Sequence, residues 1–136
     1  MILVDASVWV SWYLVRDAFH RVSRLWVASV VAHGQTLVIP SLALTETAGA
    51  VARRTGRSAD GRRAARVMLR VPSIRVDPVD RTFALAAANL AASLKLRGPD
   101  AVYVALAYQL GVPLVTWDHE QAIRGRRLIT VLQPTV

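Results

Sequence analysis

"MILVDASV", residues 1–8, is a short apolar run that ends on an acid before small and apolar residues resume. It is too short for a helix of its own and reads as a buried β-strand with Asp5 at its C-terminal tip. Further apolar runs of similar length lie downstream: "TLVIP" (36–40), closed by Pro40, then "SIRVDPV" (73–79), "VPLVTWD" (112–118) and "RLITVL" (127–132). Asp118 directly follows the "PLVT" run, so a second acid stands just past a strand.

The segments between these runs carry helical spacing. Phe19, Val22, Trp26 and Val30 step by three and four and end near "HGQ" (33–35), which predicts a helix face. Ser41 opens a helix through "SLALTETAGAVARR" (41–54) that stops at Gly56. "SADGRRAARVMLR" (58–70) reads as another, with Ser58 as its cap, and Asp80 starts the Ala-rich "DRTFALAAANLAASLKLR" (80–97). "PDAVYVALAYQLG" (99–111) has Pro99 in its first turn and Gly111 as its stop, and "HEQAIRG" (119–125) is a short last helix. Strands alternating with helices predict an α/β fold with a largely parallel sheet, and the near-continuous apolar strands imply helices on both faces. There is no internal repeat, low-complexity segment or linker, so residues 1–136 are expected to form one domain.

A hydrophobic content of 54% supports a real core. The formal charge of +8 comes from 17 Lys and Arg against 9 Asp and Glu, and Lys95 is the only lysine. Arginine forks suit phosphate, so a polyanionic partner fits, although charge alone suits an ordinary soluble protein equally. The absence of cysteine excludes disulfides and thiolate-held zinc. The N-terminus lacks a basic leader, and no uncharged apolar run reaches the ~18–20 residues of a membrane helix. A cytoplasmic protein with no membrane association is expected.

In open parallel sheets the ligand crevice lies beyond the carboxyl ends of the strands. Asp5 and Asp118 sit there. Glu46 lies in the second turn of the helix leaving "TLVIP", and Asp100 opens its helix at the same edge if the preceding helix runs back along the sheet. Four of the nine acids thus point at one rim from four separate parts of the chain. Each has a plainer role. Asp118 with Gln121 resembles a capping box, Asp100 complements a helix dipole, Glu46 suits a solvated helix surface, and Asp5 can simply end a strand. Convergence shifts the balance, because clustered carboxylates raise one another's pKa values unless a cation neutralises them. An all-oxygen set without Cys or closely spaced His suits Mg²⁺ or Mn²⁺ rather than zinc. Ser7 and Thr116, each two residues from an acid, can hold a water or orient a carboxylate. Equally, Ser7 can cap a helix and Thr116 can be an ordinary strand residue.

These residues resemble the PIN-domain ribonucleases, in particular the VapC-like toxins of toxin–antitoxin modules. The similarity rests on "VDASV", "PSLALTETAGAVARR" around Glu46, "LRGPDAVYVALA" around Asp100 and "LVTWDHEQ" around Asp118, and it spans essentially the whole chain. Pro99 departs mildly from a pattern that favours a small residue there. The resemblance implies a PIN-like three-layer sandwich with about five parallel strands, and a catalytic set of Asp5, Glu46, Asp100 and Asp118 supported by Thr116. The activity implied is a Mg²⁺- or Mn²⁺-dependent endoribonuclease, with a cognate antitoxin and a homodimer as partners.

On that basis Asp5, Asp100 and Asp118 are the expected metal ligands, Glu46 positions or deprotonates the attacking water, and Ser7 and Thr116 support them. RNA cleaved this way carries a 5′-phosphate and a 3′-hydroxyl. Arg53, one or two turns past Glu46 with Gly49 between, is a candidate RNA contact, as are Arg57 and Arg62; Arg63, Arg66 and Arg70 continue that basic stretch, which also suits a solvated face. His20, His33 and His119 fit helix ends or surface. Trp9, Trp12 and Trp26 are expected in the core or in an exposed partner patch. Alternatives are a housekeeping RNA-processing nuclease, a non-catalytic RNA-binding module, a receiver domain and an aspartyl-nucleophile phosphatase. The receiver wants paired acids after the first strand, and the phosphatase wants a second Asp where Ser7 stands.

Overall fold

The computed structural model describes all 136 residues. The five apolar runs form strands, each shorter than its run. They are β1 (Ile2–Val4), β2 (Leu37–Pro40), β3 (Ile74–Asp77), β4 (Leu114–Val115) and β5 (Val131–Leu132). All pair in parallel in the order β3-β2-β1-β4-β5. The helices are α1 (Ala6–Tyr13), α2 (His20–Ala32), α3 (Leu42–Thr55), α4 (Ser58–Met68), α5 (Arg81–Leu94), α6 (Gly98–Leu110) and α7 (His119–Gly125). The result is the expected three-layer α/β sandwich. The chain lays its first three strands outward in one direction, then returns through α5 and α6 to place β4 on the other side of β1. That reversal makes the β1/β4 boundary a topological switch point, where parallel sheets leave a crevice.

Burial explains why the runs are strands. Leu3, Val4, Leu37, Val38, Ile39, Leu114 and Val115 are almost wholly enclosed, as strands covered on both faces must be. Helix α6 packs on β1, β2 and β4, with α5 against its outer side, and α1, α3 and α4 pack together. Trp9, Trp12 and Trp26 are all buried in the main core, so the exposed-partner alternative for them does not hold.

Capping differs from expectation at two places. Asp80 accepts from the Phe83 amide at 2.8 Å and starts α5 as predicted. The residue flanking α4 is Arg57, with Ser58 already inside the helix, so Ser58 is not its cap. Ser41 precedes α3 but its hydroxyl accepts from the Val79 amide at 3.1 Å, tying the start of α3 to the segment after β3 instead of capping the helix.

Candidate active site

Asp5 follows β1 and caps α1. Its Oδ2 accepts from the Ser7 amide at 2.9 Å and from the Thr116 hydroxyl at 3.1 Å, and its Oδ1 accepts from Gln121 Nε2 at 3.4 Å. Thr116 follows β4, is fully buried, and also accepts from the Asp118 amide at 2.9 Å. Asp118 then caps α7 by accepting from the Gln121 amide at 2.9 Å. The hydroxyls therefore act as a splice across the switch point. Ser7 Oγ lies 3.3 Å from Thr116 Oγ1 and accepts from the Trp117 amide at 3.0 Å. Ser7 does not cap α1; Asp5 does.

Asp5, Glu46, Asp100 and Asp118 line one open cavity of about 520 Å³, together with Ser7, Arg53, Arg54 and Arg97. Asp100 reaches it from the first turn of α6, next to Pro99. Glu46 reaches it from α3, where its Oε2 accepts from the Tyr103 hydroxyl at 2.6 Å. The plain capping and dipole roles are thus realised at Asp5, Asp118 and Asp100, and they coexist with convergence. At Asp118, for instance, Oδ1 caps α7 while Oδ2 pairs with Arg97.

Electrostatics record the crowding. Burial raises the Asp5 carboxyl above its ordinary range, against the lowering effect of hydrogen bonds from Ser7, Thr116 and Gln121. Glu46 is raised by burial and then by the charges of Asp5 and Asp100, while the Tyr103 bond and Arg97 act in the opposite sense. Asp100 is raised by burial and by Asp118 and Asp5, with Arg97 opposing. Tyr103, almost fully enclosed, is pushed well up by burial and by the charges of Asp5 and Glu46, so it stays a neutral donor to Glu46.

Arg97 was not singled out by sequence reasoning. Its Nε bonds Asp100 Oδ2 at 3.0 Å and its Nη2 bonds Asp118 Oδ2 at 3.0 Å, so a guanidinium spans two of the four acids. No three acidic or imidazole groups close round a single point in this arrangement. A divalent ion shared by the set would compete with Arg97 for Asp100 and Asp118. The guanidinium itself shows that a cation sits well there, and the available donors are carboxylate and hydroxyl oxygens, with no histidine lining the cavity. That donor chemistry fits a hard ion such as Mg²⁺ or Mn²⁺.

The candidate arginines separate. Arg53 lines the cavity, its Nη1 lying 3.1 Å from where a Cβ on Gly49 would be, so the room left by that glycine is taken by the Arg53 side chain. Arg57 pairs with Asp60 at 2.8 Å and lines a neighbouring cavity with Arg16 and Arg54. Arg62 is exposed on α4 and borders neither. Arg54, missed in the sequence, lines both cavities and pairs with Asp17 at 2.6 Å. The histidines sit at helix ends, with His20 Nδ1 at 2.9 Å from the Ser11 carbonyl and His33 Nδ1 at 2.7 Å from the Ser29 carbonyl.

The PIN domain family model matches residues 2–126. No curated protein matches the sequence. Among solved structures, Mycobacterium tuberculosis VapC20, a sarcin-ricin loop cleaving toxin, shares the fold with a TM-score of 0.76 and 22% identity over 92% of this chain and 95% of that one. FitAcB from Neisseria gonorrhoeae superposes with a TM-score of 0.73 and 18% identity, covering 98% of both chains. VapBC2 from Rickettsia felis, bound to a promoter DNA fragment, gives 0.72 and 13%, again over 98% of both. With the family model spanning nearly the whole chain and the same architecture in each of these structures, the chain belongs to the PIN domain family.

Proposed function

We propose that this single-domain chain is a divalent-metal-dependent endoribonuclease and the toxin of a toxin–antitoxin module. The observation that carries the reading is the convergence of Asp5, Glu46, Asp100 and Asp118, from four separate segments, on one cavity whose burial holds three of them above their ordinary pKa. Such a set repels phosphate unless a cation balances it, which disfavours a purely RNA-binding role.

Asp5, Asp100 and Asp118 would hold the ion, Mg²⁺ or Mn²⁺, which when bound supplies charge that offsets the developing negative charge on a scissile phosphodiester. Thr116 and Ser7 fix the Asp5 carboxylate by the bonds described above. Glu46, held by Tyr103, presents its other oxygen to the cavity and would orient and deprotonate the attacking water. Arg53 and Arg54 offer guanidinium groups to the flanking phosphates of the strand. The likeness to the VapC20 and VapBC2 structures supports the toxin assignment and a cognate antitoxin, and we propose a homodimer with them. The site of action proposed with this reading is the cytoplasm; no helix is long and apolar enough to cross a membrane.

The test is cleavage of RNA by the purified protein, stopped by a chelator and restored by Mg²⁺ or Mn²⁺, with 5′-phosphate and 3′-hydroxyl ends on the products. A cyclic phosphate at the new 3′ end would refute the mechanism, because it requires attack by the ribose 2′-hydroxyl.

Arg97 gives a separate expectation. Its pairs are largely solvent-exposed, so each contributes little. Replacing Arg97 by Ala is expected to tighten Mn²⁺ binding by roughly 2- to 30-fold in a calorimetric titration, the scale of two exposed ion pairs removed as competitors. Weaker Mn²⁺ binding in R97A would show instead that the guanidinium assists the ion.

A further inference from the structure

The cavity has an aromatic lip that the chemistry above does not use. Phe19 and Trp117 line it, with ring centroids 4.1 Å apart and planes 12° from parallel. Trp117 lies between Thr116 and Asp118 and is fixed at both ends. Its amide donates to Ser7 Oγ at 3.0 Å, and its indole Nε1 donates to Ser23 Oγ at 2.9 Å. Ser23 is wholly buried and bonded to Ser11 Oγ at 2.7 Å. The Phe19 amide donates to Asp17 Oδ1 at 2.8 Å, while Asp17 Oδ2 accepts from Arg54. The Trp117 ring is thus held by its indole bond and by packing against the main core, and the Phe19 backbone by its amide bond. One face of Phe19 is covered by Trp117, yet the residue remains 45% exposed and lines the cavity.

We propose that the Phe19–Trp117 pair is a subsite that stacks one unpaired nucleobase of the strand whose phosphate lies at the acids. This rests on the nuclease reading and names how the strand is gripped. A flat π-face beside a charged cavity with Arg53 and Arg54 is the combination that binds single-stranded nucleic acid, phosphates on cations and bases on rings. The occupant is an extruded base rather than a duplex step, because the platform is one ring wide and shares its cavity with the acids. Stacking tolerates any base, so the subsite contributes affinity and strand position more than sequence choice.

The experiment measures anisotropy of a short unstructured RNA of mixed sequence in Mg²⁺ buffer, in an E46Q background proposed to bind without cutting. Phe19→Ala is expected to weaken binding by roughly 5- to 150-fold, the span of one lost base–aromatic stack. Phe19→Leu keeps an apolar cover on Trp117 but has no flat face; it should melt like the parent and bind as weakly as F19A, while Phe19→Tyr restores affinity. A 2-aminopurine moved along the strand should be quenched at one position in the F19 protein and at none in F19L. If F19L binds RNA like the parent, the stacking subsite is refuted and the ring merely shields Trp117 or serves a protein partner. If the protein with Phe19 intact binds no RNA and the natural sequence cuts none, the nuclease reading falls together with this one.

Discussion

Asp5→Asn is expected to lower metal-dependent RNA cleavage by roughly hundred- to thousandfold, the range seen when a group that stabilises transition-state charge is removed, while the fold survives. The structure explains why folding should tolerate it. Asp5 Oδ2 accepts from the Ser7 amide and the Thr116 hydroxyl, and an asparagine oxygen can occupy that place. Its amide nitrogen would then face Gln121 Nε2, donor against donor. Gln121 Oε1, however, is buried without a partner. A half-turn of the Gln121 amide presents that oxygen to the new N–H, replacing a charged contact by a neutral one and exchanging an idle buried acceptor for an idle donor.

The stability of this variant should carry a pH signature of definite sign. Burial raises the Asp5 pKa above its ordinary 3.8, so the native state holds this proton longer than the unfolded chain. Well below pH 3.8 the carboxyl is protonated in both states, and parent and D5N should differ little. As pH rises, the unfolded carboxyl ionises first and the parent loses stability until the native carboxyl has ionised too. In chelator, the melting temperature of D5N minus that of the parent should therefore grow from near zero to a positive plateau. Added Mn²⁺ should reverse the order at neutral pH, since an ion bound by the native state alone stabilises the parent more. A D5N protein that melts well below the parent in chelator at neutral pH would mean that Asp5 is only a structural cap. Retained cleavage in a folded D5N protein would remove Asp5 from the reacting set.

Asp5 and Asp118 were legible because each follows an apolar run, and parallel sheets present the ends of such runs to a common crevice. Asp100 was legible through Pro99 and the helix that begins there. What the linear chain hid were residues whose role depends on distance across the fold. Tyr103 sits in "DAVYVALA", where every neighbour spells core, and it is core, apart from a hydroxyl that reaches Glu46 from 57 positions away. Arg97 looked like the last residue of an Ala-rich helix, but the chain leaves α5 at Lys95, in left-handed conformation, and turns Arg97 to the acids before α6 starts. An i, i+3 pairing with Asp100 was its one available signal. Trp117 stands in "LVTWD", where the linear chain shows a strand end and an acid; its partner Phe19 lies almost a hundred residues earlier. The strands also came out shorter than their apolar runs, because apolar residues beyond a ladder, such as Val112 and Ile129, are partly buried by packing against the core without strand pairing.

The largest effect outside the cavity is expected from Gly61→Ala. Helices α3 and α4 cross at this residue, and a Cβ there would lie 2.4 Å from the Ala48 carbonyl oxygen and 3.0 Å from Ala52 Cβ. The nearest obstacle is backbone, so no rotamer change relieves it and the helices must separate. Overpacking of this kind costs about 1–3 kcal/mol, which outweighs the roughly 1 kcal/mol gained from replacing a helical glycine. Ala48 lies two residues beyond Glu46, so pushing α3 away from α4 also moves the Glu46 carboxylate relative to Asp5 and Asp100. A shift approaching 1 Å at such a group can lower turnover by about a hundredfold. Gly98→Ala provides the contrast: a Cβ there meets nothing within 4 Å outside its chain neighbours, in the first turn of α6. G98A, whose new Cβ meets only the Pro99 ring, should keep its activity and lose less melting temperature than G61A, whereas G61A should lose both melting temperature and turnover while Mn²⁺ affinity changes little, because Glu46 is proposed to act on water rather than on the ion. A G61A protein as stable as the parent would show that the helix pair can spread without strain. One that is destabilised but fully active would show that the position of Glu46 does not limit the reaction.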